Sequence, residues 1–132
     1  MTTLINGTFE VKLAPQAHEE NVGDPSVGRM SIEKQFFGDL EASSKGQMFA
    51  VRTEVSGSAG YVAMERVVGT LQGRKGSFAL QHSGTMTRGE KQLSVSVVPD
   101  SGTDQLTGLS GTMGIEIVEG KHLYTFEFAF AS

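Results

Sequence analysis

The stretch YVAMERVVGTLQGRKGSFALQHSGTM, residues 61–86, decides how this chain folds. Its first half places Tyr61, Ala63, Glu65, Val67 and Leu71 on one face, and its second half does the same for Phe78, Leu80, His82 and Met86. A period of two is the signature of a strand. Between the halves, Gly73-Arg74-Lys75-Gly76 is a tight-turn signal. Centring a hairpin on Arg74-Lys75 sets Leu71 against Phe78, Gly69 against Leu80 and Val67 against His82, with both apolar faces on one side. A one-residue slip would turn one strand's apolar set to the opposite face, so the match is informative.

The same test repeats downstream. A turn at Gly89-Glu90 sets Met86 against Leu93, Gly84 against Val95 and His82 against Val97. A turn at Glu119-Gly120 sets Ile117 against His122, Ile115 against Tyr124, Met113 against Phe126, Gly111 against Phe128 and Leu109 against Phe130. Aromatics facing glycine suit a curved sheet with a crowded interior. Upstream, Phe9, Val11 and Leu13 alternate with Thr8, Glu10 and Lys12; strands over Arg29–Glu41 and Gln47–Val55 follow, after an irregular stretch from Pro15 to Gly28. The expected fold is all-β: one domain over residues 1–132, a single antiparallel up-and-down barrel of about eight strands, since closing the sheet removes its edges. A two-sheet sandwich is the structural rival.

Composition narrows the function. The chain has no cysteine, which rules out disulfides, thiolate metal sites and a cysteine nucleophile. A net charge of −4 with no basic run argues against nucleic acid as a partner. No window approaches the ~18 apolar residues of a membrane helix, and the N-terminus lacks the pattern of a signal peptide. A cytoplasmic protein with no membrane partner and no cofactor is the expectation. The Gly-rich words near Gly69 and Gly108 match neither a phosphate loop nor a dinucleotide fingerprint, because strands follow where helices should. Ser101, within Pro99-Asp-Ser-Gly-Thr-Asp104, reads as a turn residue rather than a nucleophile.

What remains is a set of polar groups on inward faces: Tyr61, Glu65, His82, His122 and Tyr124, with Phe126 beside them. Glu65 lies diagonal to His82, and diagonal partners on one face are ~7–8 Å apart at the backbone, within reach of long side chains. A carboxylate beside an imidazole in an apolar cavity is an acid–base arrangement, each shifting the other's proton affinity. The plainer reading is that the two satisfy each other inside the barrel. In a meander, the loops near Pro15–Gly28, Gly57–Gly60, Gly89–Glu90 and Glu119–Gly120 share one end. This places His122 and Tyr61 near that mouth, Glu65 and Tyr124 deeper, and His82 at mid-height. A metal site from Glu65, His82 and His122 has suitable ligand types, but the two histidines stand three strands apart and at different heights, so no metal is expected. Lys34 shares the face of Met30, Ile32 and Phe36 and is a further inward candidate, or a snorkelling stem.

Several segments, in order along the chain, resemble a bacterial family of unknown function with the allene oxide cyclase-like barrel. They include Gly7-Thr-Phe-Glu-Val11, Phe37-Gly-Asp-Leu40, Ala59-Gly-Tyr61, Gln81-His-Ser-Gly84, Val98-Pro-Asp-Ser-Gly-Thr103 and His122-Leu-Tyr124. The resemblance implies an antiparallel barrel and no activity. Cyclase chemistry does not carry over. The first-strand acid could correspond only to Glu10, which should face outward, and the cyclase cavity cysteine is missing.

Three functions follow as expectations. In the first, the barrel holds a small apolar ligand lined by Tyr61, Glu65, His82, His122, Tyr124 and Phe126. In the second, Glu65 and His82 are the acid and base of a cofactor-independent isomerase, cyclase or hydrolase, which requires a contact between them. In the third, the barrel is structural, and Phe37, Phe49 and Val62 form a homo-oligomer interface.

Overall fold

A computed structural model describes residues 1–131. Eight strands close into one antiparallel barrel in sequence order: β1 (Thr3–Gln16), β2 (Gly28–Gly38), β3 (Leu40–Arg52), β4 (Ala59–Leu71), β5 (Arg74–Thr87), β6 (Glu90–Val97), β7 (Leu109–Val118) and β8 (Lys121–Phe130). A single 3-10 turn at Asp104–Leu106 lies in the β6–β7 connection. Among the described residues no helix is long and apolar enough to cross a membrane.

Three hairpins turn on two residues, the second of them glycine: Gln72-Gly73 (φ +46° and +82°), Arg88-Gly89 (+50° and +92°) and Glu119-Gly120 (+52° and +79°). Positive φ at both central residues matches the right-handed twist of the flanking strands. The expected turn at Glu119-Gly120 and its register are as observed, from Leu109–Phe130 to Ile117–His122. The other two need correction. The first hairpin turns at Gln72-Gly73, not Arg74-Lys75, so Leu71 faces Arg74, Val67 faces Phe78 and Ala63 faces His82. The second turns at Arg88-Gly89, so Gly84 faces Leu93 and His82 faces Val95. The registers move by four and by two residues. Both shifts are even, so every inward face survives.

Two strand boundaries also differ. The chain bends at Gly38-Asp39, with Gly38 at φ +113°, so β2 ends there and β3 begins at Leu40 rather than Gln47. The inward row of β3 runs Ala42, Ser44, Gly46, Met48, Ala50 and Arg52, too small and polar to read as a core-facing strand.

The two ends of the barrel are built differently. The end carrying the β2–β3, β4–β5 and β6–β7 connections is solid. Leu40, Leu71, Phe78, Phe126, Phe128 and Leu109 fill it, with Leu106 of the 3-10 turn buried among them. Ser101 ties the covering loop down, its hydroxyl accepting from the Ala79 N–H (3.0 Å) and donating to the Val98 carbonyl (2.7 Å). That is a turn role, as read from the sequence. The opposite end is looser. The β6–β7 ladder is held by two register pairs, Val95–Met113 and Ser96–Thr112, and above them the strands run to the mouth as unpaired neighbours.

Candidate functional site

A charged layer crosses the middle of the barrel. Lys34 on β2 reaches over β3 to Glu65 on β4, with Nζ 3.1 Å from Oε2, and His82 Nε2 on β5 lies 3.3 Å from the same oxygen. The span over β3 is short because small residues stand there. Ser44 is the register partner of Lys34, and Gly46 is the partner of Glu65. A Cβ on Gly46 would strike the Met64 carbonyl oxygen and come within 2.7 Å of Glu65 Cα. This glycine is what lets Glu65 point inward at this height.

Lys34, Ser44, Glu65 and His82 are the polar residues buried in the interior, each at most 6% exposed. The two contacts are short but poorly aligned; Ser44 Oγ, both Glu65 oxygens and His82 Nε2 lack a well-formed hydrogen bond. Burial is the largest influence on Glu65 and opposes its ionisation, but His82 and Lys34 together outweigh it and hold the carboxyl below the ordinary value. In Lys34 burial also dominates and lowers the amine, with Glu65 offsetting only part. The ammonium lies over two rings, 5.1 Å from the centre of Phe9 and 5.8 Å from that of Phe36, which partly replaces lost hydration.

The expected diagonal contact between Glu65 and His82 is present, though from the other side. With His82 opposite Ala63, and Glu65 opposite Leu80, His82 stands one inward step nearer the mouth than Glu65, not below it.

Above this layer the barrel is hollow. A cavity of about 690 Å³ opens at the mouth, lined by Met48, Ala50, Tyr61, Met86, Leu93 and Ile115, with Arg52, Lys91 and Ile117 toward its rim. It sits where β6 and β7 part, and Leu93 and Ile117 on the two sides of that seam are 42% and 57% exposed. Tyr61 lies across Gly84, where a Cβ would strike its ring. Burial first, then the charge of Glu65, pushes its phenol above the ordinary value.

The other residues picked out from the sequence fall elsewhere. His122 packs on Phe9 with ring centres 5.1 Å apart, and Phe9 in turn lies under the Lys34 ammonium. Tyr124 is at the solid end rather than toward the mouth. Its hydroxyl donates to the Phe37 carbonyl (3.0 Å) and accepts from the Leu40 N–H (3.3 Å), pinning the β2–β3 bend. The stagger of a tilted barrel carries β8 downward relative to β2 and accounts for that displacement. Phe126 is fully buried, stacked on Phe78 at 5.9 Å. Among the described residues no three His, Asp or Glu side chains are placed to hold a metal ion. Residues that the sequence did not single out, Met48, Ala50, Arg52 and Lys91, line the cavity instead. The signal for the first three was the even-numbered row of β3, masked by the small side chains it carries, whereas Lys91 stands on the inward row of β6.

A closed eight-strand meander, plugged at one end and cupped at the other, is a barrel of the interior-binding or filled type. The DUF3224 family, described as proteins of unknown function, matches residues 5–128, and this chain belongs to it. A crystallised DUF3224 protein of unknown function from Shewanella oneidensis MR-1 is 50% identical, covers 100% of both chains, and superposes with a TM-score of 0.91. No curated protein matches the chain.

Proposed function

We propose that the barrel binds a small, largely apolar molecule in the cup between β3 and β7. The observation that carries this reading is the hollow, apolar-lined mouth at the loosened β6–β7 seam, about 690 Å³ in volume. Ligand sites are typically concave and mostly apolar with a few convergent polar groups, over roughly 300–1,000 Å³. Here Tyr61 supplies a polar group on the inward wall, Arg52 and Lys91 stand toward the rim, and the charged layer lies beneath the floor.

A thermal-shift panel of lipids and terpenoids tests it. A ligand at 100 times its Kd contributes about 2.7 kcal/mol, a rise of roughly 8 °C for a domain of this size. Ala50→Trp, which fills the cup, is expected to abolish that rise while leaving the free protein folded. No shift with any compound, or an undiminished shift in Ala50→Trp, removes the proposal.

The acid–base reading rests on the 3.3 Å contact between Glu65 and His82. Both side chains are buried below the cup, so that chemistry needs an opening in its floor and ranks second. Kinship with the allene oxide cyclase barrel is supported by the closed meander alone. It brings no mechanism, because Glu10 is exposed on the outer face. Exposed Phe37, Phe49 and Val62 favour the homo-oligomer reading, since Phe49 and Val62 face each other across β3 and β4 on the outside.

A further inference from the structure

We infer that the occupant of the cup is an amphipathic anion, held tail-inward with its acidic head at Arg52 and Lys91. This rests on the cup being a binding site and adds the chemical class of what it takes. Arg52, Ala59, Met86 and Lys91 form one continuous register row across β3, β4, β5 and β6. The row shares its face with Ala50, Tyr61, Gly84 and Leu93 one step deeper, so all of these positions point into the barrel. The two ends of the outermost row are thus cations, and the residues between them and in the next row down are apolar or aromatic.

Neither cation is engaged. Among the described residues the ion pair is Lys34–Glu65, with His82 beside the same carboxylate, and both contacts lie deep in the interior. The one acid beside the cup, Glu116, alternates with inward Ile115 and Ile117 and therefore belongs to the outer face of β7. A head group has no comparable place at the floor. Lys34 is already neutralised by Glu65, and the layer is sealed from the cavity. An acidic head therefore belongs at the rim, in water and near two unpaired positive charges. The chain below it lies against Met48, Leu93 and Ile115. The seam between Lys91–Leu93 and Ile115–Ile117 gives such a molecule a lateral way in.

The test keeps the tail constant and varies the head. Decanoate, decanol and decylammonium are titrated calorimetrically into the wild type and into the Arg52→Ala/Lys91→Ala double variant. Two exposed charge contacts predict a preference of decanoate over decylammonium of about fivefold or more, shrinking in high salt. The double variant should bring the two within about twofold, with decanol binding unchanged. Decyl sulfate matching decanoate would show that the rim reads charge rather than a carboxylate. If decanol binds but decanoate shows no advantage over decylammonium, or keeps its advantage in the double variant, the head-group assignment is wrong and the cup reading stands. If none of the three binds, the cup reading falls and takes this inference with it.

Discussion

Glu65→Leu is expected to destabilise the barrel by about 3–5 kcal/mol, the usual cost of removing one partner from a buried ion pair. The loss comes less from the missing attraction than from what stays behind. Lys34, 6% exposed, would keep an ammonium whose interior carboxylate contact was Glu65, and His82 would lose the carboxylate 3.3 Å from its Nε2. Urea unfolding of three proteins separates this from lost packing. Lys34→Met/Glu65→Leu removes both charges in similar volumes and is expected to recover most of the stability, because apolar replacement of a whole buried pair is often neutral or better. A double variant no more stable than Glu65→Leu would mean that the pair is not the source of the effect.

Acid titration supplies an independent sign. The folded-state value of Glu65 lies below its ordinary 4.5. Its stabilising contribution is therefore complete above about 4.5 and lost as the pH falls through the folded value. Lys34 acts in the same direction at the alkaline end. Its amine is lowered from 10.5, so the cost of burying its charge is relieved as pH rises through the folded value. The wild type should lose stability below pH 4.5 more steeply than the Lys34→Met/Glu65→Leu protein, measured by urea midpoints across the acid range.

How far the sequence could be read depends on parity. Strand faces follow a period of two, and each register error moved a strand by an even number. The inward identity of Glu65, His82, Phe78 and Phe128 was therefore recoverable although two of three hairpins were centred wrongly. The errors share a cause. Positive φ at Gln72 and Arg88 marks the true turns, but these residues lack the Asn or Asp signature that announces such a turn, whereas the glycines on either side of Arg74-Lys75 look like one. Height was less legible than face, because it depends on the stagger between distant strands. That is why Tyr124 lies at the solid end; His82 stands above Glu65 rather than below it because the β4–β5 register moved by four residues. The inward row of β3 was hidden for a different reason: Ser44, Gly46 and Ala50 face inward where the barrel needs room, and small residues carry no hydrophobic alternation.

Phe126→Ala is expected to cost about 3–5 kcal/mol in denaturant unfolding, in the range for emptying a buried aromatic site. Phe126 is 0% exposed, stacked within 13° of parallel on Phe78 and 5.2 Å from Phe128, so its neighbours are fixed by their own packing and cannot collapse into the hole. Leu93→Ala at the cup wall should cost under about 1 kcal/mol, since its side chain is 42% exposed and already borders open space. The contrast is a statement about the design of the barrel. If the solid end supplies the stability, the mouth is free to stay hollow, part its β6–β7 seam and hold two unpaired cations at no structural cost. Equal losses from the two substitutions would mean that the cup is itself packed core, and a wall that stabilises the empty barrel has no room to give to a ligand.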